Sequence, residues 1–177
     1  MKRIFGFVLL GLSLPGFGRA EVLDKAANGF QSKTVVAVAA PPAQVYDALV
    51  RSVGQWWDPA HTFSGNARNL SIAAEPGGCF CEKLPDGGGV RHLTVVYAAP
   101  GQKLVLTGGL GPLQGMGVSG NLTFELAKAE TGTRLTMQYN VGGYLPGGLQ
   151  SLAEPVDQVL GIQVRRLKSF AEQGKVP

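Results

Sequence analysis

The chain has 177 residues, 45% of them hydrophobic and 16% charged, with a formal net charge of +4. That length and composition fit one domain with a sizeable core, and exclude a disordered chain or two full-sized domains. The positive balance belongs to the first twenty residues. Lys2, Arg3 and Arg19 lie there, and beyond Ala20 thirteen basic residues face twelve acidic ones. No concentrated basic stripe is left to neutralise phosphates, so nucleic acid is not an expected partner. The late cluster Arg165, Arg166 and Lys168 reads as a solvated face that complements a helix C-terminus.

Residues 1–20 read as a signal peptide: a basic start, a short apolar run over Ile4–Leu14, a Pro15-Gly16 break, and Gly18-Arg19-Ala20 as a small-residue cleavage site. The run is shorter than the roughly 20 residues that span a bilayer. A periplasmic or secreted protein with no stable membrane anchor is therefore expected, after cleavage near Ala20. Residues 21–31 form an N-terminal arm, as a lead-in helix or loose segment, and residues 32–177 form the folded domain.

Within that domain Ser32–Ala39 is a strand rich in valine. Pro41-Pro42 stops it and opens a short helix carrying Val45, Tyr46, Leu49 and Val50, with a further helical turn at Gln55–Trp57. Leu70–Ala74 is an irregular strand and Cys79–Lys83 a second. Pro85-Asp86-Gly87-Gly88-Gly89 turns the chain into Arg91–Ala98, and Pro100-Gly101 turns it into Lys103–Thr107. Gly108–Gly120 is a long glycine-dense connection. Gly120–Leu126 and Arg134–Val141 then alternate strictly, with Leu122, Phe124, Leu126, Leu135, Met137 and Tyr139 on the faces that turn inward. From Leu149 the apolar residues Leu152, Val156, Val159, Leu160, Val164, Leu167 and Phe170 fall at the spacing of one helical face. Pro155 either kinks that helix or starts its regular part, with Ser151 or Glu154 as cap.

Ala40-Pro41-Pro42-Ala43-Gln44-Val45-Tyr46-Asp47-Ala48-Leu49, Trp56-Trp57, Pro76-Gly77-Gly78-Cys79-Phe80 and the amphipathic closing helix, in that order, resemble the START-like helix-grip superfamily, also labelled SRPBCC or polyketide cyclase/dehydrase. The likeness runs from Thr34 to Glu172. It implies an α+β helix-grip fold, with a curved antiparallel sheet of about seven strands around a long C-terminal helix and two short helices after the first strand. The superfamily includes lipid carriers, hormone receptors, ring-closing enzymes and partner-binding domains, so the fold alone does not choose the function. Partner recognition like that of the heat-shock-ATPase activators in this group is disfavoured by export.

The leading expectation is a small hydrophobic ligand, such as a lipid, isoprenoid or aromatic polyketide-like compound, in an internal cavity of roughly 300–1,000 Å³. Trp56, Trp57, His61, Phe63, Tyr97, Leu106, Phe124, Met137, Tyr139, Gly161 and Val164 are the candidate lining residues. One of the two indoles packs into the core, and the other either faces the ligand or packs there too. Leu110, Leu113 and Met116 suit either a flap at the rim or a simple wide turn. Gly161 either lets backbone approach the sheet closely or leaves cavity volume free. The alternative is a cyclase or dehydratase with Glu82 and His92 as acid–base pair, because cross-strand neighbours on one face touch and a carboxylate orients an imidazole for proton transfer. Strand parity leaves that open: Leu93, Val95 and Tyr97 compete with His92, Val96 and Ala98 for the inner face, and a contact of Arg91 with Glu82 is the competing arrangement. Cys79 and Cys81 read first as two small packed thiols and second as a strained disulfide. No cofactor and no metal site are expected, since two histidines and no acidic cluster give a metal little to bind. The glycine-rich stretch lacks the ending of a nucleotide-binding loop. Oligomeric state is not legible.

Overall fold

The structure, a computed structural model, describes residues 19–176. The leader read over residues 1–20 thus lies outside the described residues except for Arg19 and Ala20, which open the first strand. Eight strands make one antiparallel sheet: β1 (Arg19–Ala26), β2 (Gly29–Val38), β3 (Leu70–Ile72), β4 (Cys79–Lys83), β5 (Gly89–Ala99), β6 (Lys103–Gly108), β7 (Gly117–Ala129) and β8 (Gly132–Tyr144). Their spatial order is β1-β2-β8-β7-β6-β5-β4-β3. Helices α1 (Pro42–Arg51) and α2 (Val53–Trp56) follow β2, and α3 (Ala153–Gln173) closes the chain.

The arm expected over residues 21–31 is instead the β1–β2 hairpin, which raises the strand count to eight. The two-residue turn Ala27-Asn28 joins the strands, and β1 pairs along β2 from Arg19↔Val35 to Ala26↔Gly29. An ion pair between Lys25 and Glu154 ties this hairpin to α3. The glycine-dense connection is also shorter than its composition suggests. Gly117, Val118 and Ser119 pair with Tyr144, Gly143 and Gly142, so ladder bonding overrides weak strand propensity and leaves only residues 109–116 as a loop.

The alternating strands behave as read. Leu122, Phe124, Leu126, Leu135, Met137 and Tyr139 are buried, together with Leu104 and Leu106 from the neighbouring strand, while Glu125 and Arg134 face water. Against them lies one stripe of α3: Leu160, Val164, Leu167 and Ala171. Pro155 stands in the first turn of α3, where its missing N–H costs nothing, and neither Ser151 nor Glu154 caps the helix. Gly174, at φ 70°, ends it in the left-handed conformation. The basic cluster near that end is not simply solvated. Arg166 Nε donates to the Trp56 carbonyl at 2.8 Å, and Lys168 donates to the Ala37 carbonyl and pairs with Glu172. The long helix is thereby strapped to α2 and β2. Among the described residues no helix is long and apolar enough to cross a membrane.

Candidate functional site

The parity of β5 is settled by two β-bulges. Phe80 pairs with Leu93 and Cys81 with Arg91, so His92 is an extra residue on β5; Val95 pairs with Leu106 and Tyr97 with Val105, so Val96 is another. A bulge re-aims the side chains around it. The first turns His92 inward beside Leu93 and Val95, giving three buried residues that simple alternation would split between faces. The second throws Tyr97 outward, where it is 51% exposed.

Glu82 stands opposite Val90 in the ladder, yet its carboxylate lies 2.9 Å from His92 Nε2. The Glu82 side chain is a collecting point for donors: the amides of Phe63 and Ser64 reach it at 3.1 and 2.5 Å. These bonds fasten the loop that follows α2 across the sheet. Glu82 is only 1% exposed and His92 5%. Burial pushes the Glu82 carboxyl up, but hydrogen bonds from Ser64, Phe63 and His92 outweigh it and hold the group below its usual range. Burial also pushes the His92 imidazole down, against the partial support of Glu82, so the ring is neutral at physiological pH. A carboxylate only accepts, so the proton of the neutral ring sits on Nε2. Nδ1 is left as a buried acceptor with no protein partner.

That ring is one wall of a cavity of about 380 Å³. Trp57, Ala60, His61, Thr62 and Phe63 from the loop after α2 line one side, Phe80 and Tyr139 the sheet side, and Leu110, Leu113 and Met116 the rim. Leu152, Pro155, Val156, Val159 and Leu160 supply the wall from the start of α3. Phe63 stacks on His92 with centroids 5.8 Å apart, and Phe80 leans on both His92 and Trp57 at 5.2 and 5.3 Å. The lining is thus mainly aromatic and aliphatic, with His61, Thr62 and His92 as its polar members, as ligand cavities tend to be. A separate groove of about 560 Å³ between α1 and β3 contains neither histidine.

Of the residues singled out in the sequence, Trp57, His61, Phe63, His92 and Tyr139 meet at the cavity, with Glu82 behind His92. Trp56 does not line it: this is the core indole, 1% exposed, with Nε1 donating to the Ala48 carbonyl at 2.9 Å. Tyr97 is displaced by the second bulge. Leu106, Phe124, Met137 and Val164 are buried where sheet and helix pack together, beyond the end of α3 that is hollow, and Gly161 is buried in α3 away from the cavity lining. The competing contact of Arg91 with Glu82 is absent because Arg91 points to the outer face. Cys79 and Cys81 are bridged: their Cα atoms are 5.3 Å apart, inside the usual range for a disulfide. Among the described residues no group of three or more His, Cys, Asp or Glu side chains is placed to hold a metal ion.

Among the residues of the site that escaped the sequence reading, besides Ala60 and Thr62 of the lining, two matter most. Phe80 faces opposite to both cysteines, a fact strand alternation supplies once its neighbours are placed outward. Gln163 is a polar residue on the apolar stripe of α3, four positions before Leu167, and is buried. It accepts from the Asp58 amide at 2.9 Å and lies 3.4 Å from His61 Nδ1, which fixes the loop after α2 onto the helix.

The rim has its own clamp. Tyr139 Oη donates to the Gly108 carbonyl and accepts from the Leu110 amide, both at 3.0 Å. Gly120 makes room for that ring, since a Cβ there would fall 2.7 Å from it. Tyr139→Phe removes both bonds, and we expect a loss of about 1–2 kcal/mol with faster hydrogen exchange at the Leu110 amide; unchanged exchange there would show that the phenol does not hold the rim.

The lowered pKa values fix a pH response. Below about 6.5 the unfolded chain takes up the His92 proton before the folded one does, and below about 4.5 the same holds for Glu82. Unfolded protein binding more protons means stability falls as pH falls. The midpoint of thermal unfolding should therefore decline from pH 7 toward pH 5, and His92→Phe should flatten that limb while leaving the steeper fall below pH 4.5. A wild-type midpoint that is level between pH 6.5 and 5 would contradict the neutral imidazole.

Comparison with known proteins agrees with this architecture. The family described as "Activator of Hsp90 ATPase homolog 1-like protein" matches residues 39–172, which runs from just before α1 to the last turn of α3. Among solved structures, a conserved Enterococcus faecalis protein of unknown function superposes with TM-score 0.60 at 16% identity, covering 90% of this chain and 80% of that one. A Mesorhizobium loti protein gives TM-score 0.61 at 16% identity over 82% of this chain and 99% of its own. A protein from the dynemicin biosynthetic locus gives TM-score 0.56 at 20% identity over 82% of this chain and 48% of its own. Among curated proteins none matches the sequence.

Proposed function

Because the chain belongs to the Activator of Hsp90 ATPase homolog 1-like family, whose helix-grip fold commonly binds hydrophobic ligands, we propose that it binds a small, largely apolar molecule carrying one hydrogen-bond donor. The observation that supports this reading is His92 in the wall of a largely apolar cavity, its Nδ1 buried and without a protein partner. An unsatisfied buried acceptor is costly, and a ligand hydroxyl would satisfy it while burying its hydrocarbon at about 25 cal/mol per Å². A lipid, isoprenoid or hydroxylated aromatic fits that description. Stimulation of a chaperone, the activity in the family's description, is not carried over, because one fold serves many functions.

The proposed setting is outside the cytoplasm, in the periplasm or medium, after the leader is removed. Cleavage after Ala20 leaves the β1 hairpin from Glu21 onward, with Lys25 and its tie to Glu154 intact. Protein recovered from the native host should begin at Glu21 on N-terminal sequencing; an intact Met1 would refute export by this leader.

The binding reading is tested with 1-naphthol and 1-methoxynaphthalene, which share an aromatic body and differ in the donor, followed by quenching of tryptophan emission. Wild-type protein should prefer the naphthol about 3- to 10-fold, the worth of one hydrogen bond, and His92→Phe should abolish the preference. Equal binding of both compounds to the wild type would remove His92 from recognition.

The cyclase or dehydratase reading uses the same atoms: a neutral imidazole oriented by Glu82 has Nδ1 free to take a proton from a bound substrate. Solvent extraction and mass spectrometry of protein from its own host separate the two. One stoichiometric lipophile supports carriage, and a precursor together with its altered product supports catalysis.

A further inference from the structure

On β4 the side chains alternate cleanly. Phe80 and Glu82 face the interior, while Cys79, Cys81 and Lys83 face outward. The Cys79–Cys81 bridge therefore lies on the solvent side of the sheet, half-buried and within reach of a thiol. Its neighbours across the ladder are Ser71 on β3 and Thr94 and Arg91 on β5, with Arg91 directly opposite Cys81. Cross-strand partners share a face with Cβ atoms about 5 Å apart. Arg91 is exposed and carries a permanent charge.

A bridge over a single intervening residue closes a very small loop. The entropic gain of a disulfide grows with the loop it closes, so this one contributes little to the fold. Backbone ladder bonds hold β4 on both sides without it, from Leu70↔Glu82 to Ile72↔Phe80 and from Cys79↔Thr94 to Lys83↔Gly89. The two Cα atoms, 5.3 Å apart, are also closer than the roughly 6.6 Å that two residues of extended strand span. The bridge contracts β4 at the same ladder step where β5 carries His92 as its extra residue. Between the cysteines sits Phe80, the aromatic that touches both His92 and Trp57.

We propose that Cys79–Cys81 is a thiol–disulfide exchange site, open to a small or protein thiol, whose redox state is transmitted to the cavity through Phe80. In the forward step a thiolate attacks Sγ of Cys79. A new bond forms between the incoming sulfur and Cys79, the Cys79–Cys81 bond breaks, and its electron pair leaves on Sγ of Cys81. Arg91 stabilises that leaving thiolate, which speeds the step. A second thiolate then attacks the incoming sulfur, releasing Cys79 as thiolate and the two external thiols as one disulfide. The protein gains two electrons and the thiol partners lose two. The reverse sequence oxidises the pair again.

The test is a titration of the folded, full chain in reduced and oxidised glutathione, with maleimide trapping and intact-mass counting of free thiols. The proposal expects reversible conversion between bridge and dithiol with far-ultraviolet circular dichroism unchanged. It also expects exchange about 3- to 10-fold slower in Arg91→Gln, and a shift of tryptophan emission that tracks the thiol count. A bridge that opens only when the protein unfolds would overturn the exchange site and mark the bond as structural. Equal rates in wild type and Arg91→Gln would overturn the role of Arg91, and tryptophan emission that stays constant through full reduction would overturn the link to the cavity. None of these readouts depends on the identity of the cavity's ligand.

Discussion

Glu82→Ala should cost about 3–5 kcal/mol of stability, a large loss for a single polar side chain. The carboxylate accepts from two backbone amides and from His92 Nε2, and deleting it leaves the imidazole donor buried and unmatched and two part-buried loop amides without their acceptor. A hydrogen bond to a charged group contributes about 1.5–3 kcal/mol, and water recovers part of that at the two loop amides, so the sum is still a large part of the 5–15 kcal/mol that holds a domain together. The loss would be local in origin, because Phe63 and Ser64 belong to the loop that roofs the cavity. Urea unfolding measures the total, and hydrogen exchange at the two amides shows where it arises. A loss below about 1 kcal/mol would mean that water replaces the carboxylate and that the interior is not sealed there.

Glu82→Gln separates structure from recognition at the same position. The amide oxygen can keep a backbone donor, but its NH₂ group must face the imidazole. His92 can satisfy that donor only by moving its proton to Nδ1, so the unpartnered nitrogen changes from acceptor to donor. The variant should lose about 1–3 kcal/mol, less than the alanine, yet lose the preference for 1-naphthol as completely as His92→Phe. Imidazole ¹⁵N shifts report the tautomer directly. Retained preference for the naphthol alongside a switched tautomer would refute Nδ1 as the ligand's acceptor.

Much of the architecture was legible because it rests on periodicity. The alternation of β7 and β8, the stripe of α3 and the Pro41-Pro42 break are local properties, and each landed where the residues put it. The hairpin from Arg19 to Val38 was missed because β1 has little apolar alternation of its own and is held by pairing with β2, which no local pattern records. The site was harder still. Whether Glu82 meets His92 depends on the parity of β5, and parity was decided by an extra residue at His92 and another at Val96. Sequence alternation treats His92 and Leu93 as rivals for one face; a bulge lets both win. Of the cavity residues assigned from β6, β7 and β8, Tyr139 reaches the cavity, while Leu106, Phe124 and Met137 point inward into packed core. What the pattern does not contain is depth along α3, since inward means packed core near Val164 and hollow near Val156.

That gradient along one helix gives the second large effect. Val159 faces the cavity, whereas Gly161, two residues on, is buried in α3 away from it. Val159→Phe adds an aromatic ring to empty space, so it should lower affinity for 1-naphthol 100-fold or more, equivalent to about 2.8 kcal/mol, with stability unchanged or slightly raised. Gly161→Leu should do the reverse of what free volume at that position would allow: forcing four carbons into packed interior costs about 1–3 kcal/mol with little change in binding by the molecules that remain folded. Titration with 1-naphthol and thermal unfolding of the two variants, measured side by side, check the pair. If Val159→Phe binds as tightly as wild type, the ligand sits elsewhere. If Gly161→Leu blocks binding without destabilising, the hollow extends farther along α3 than the geometry of the chain allows.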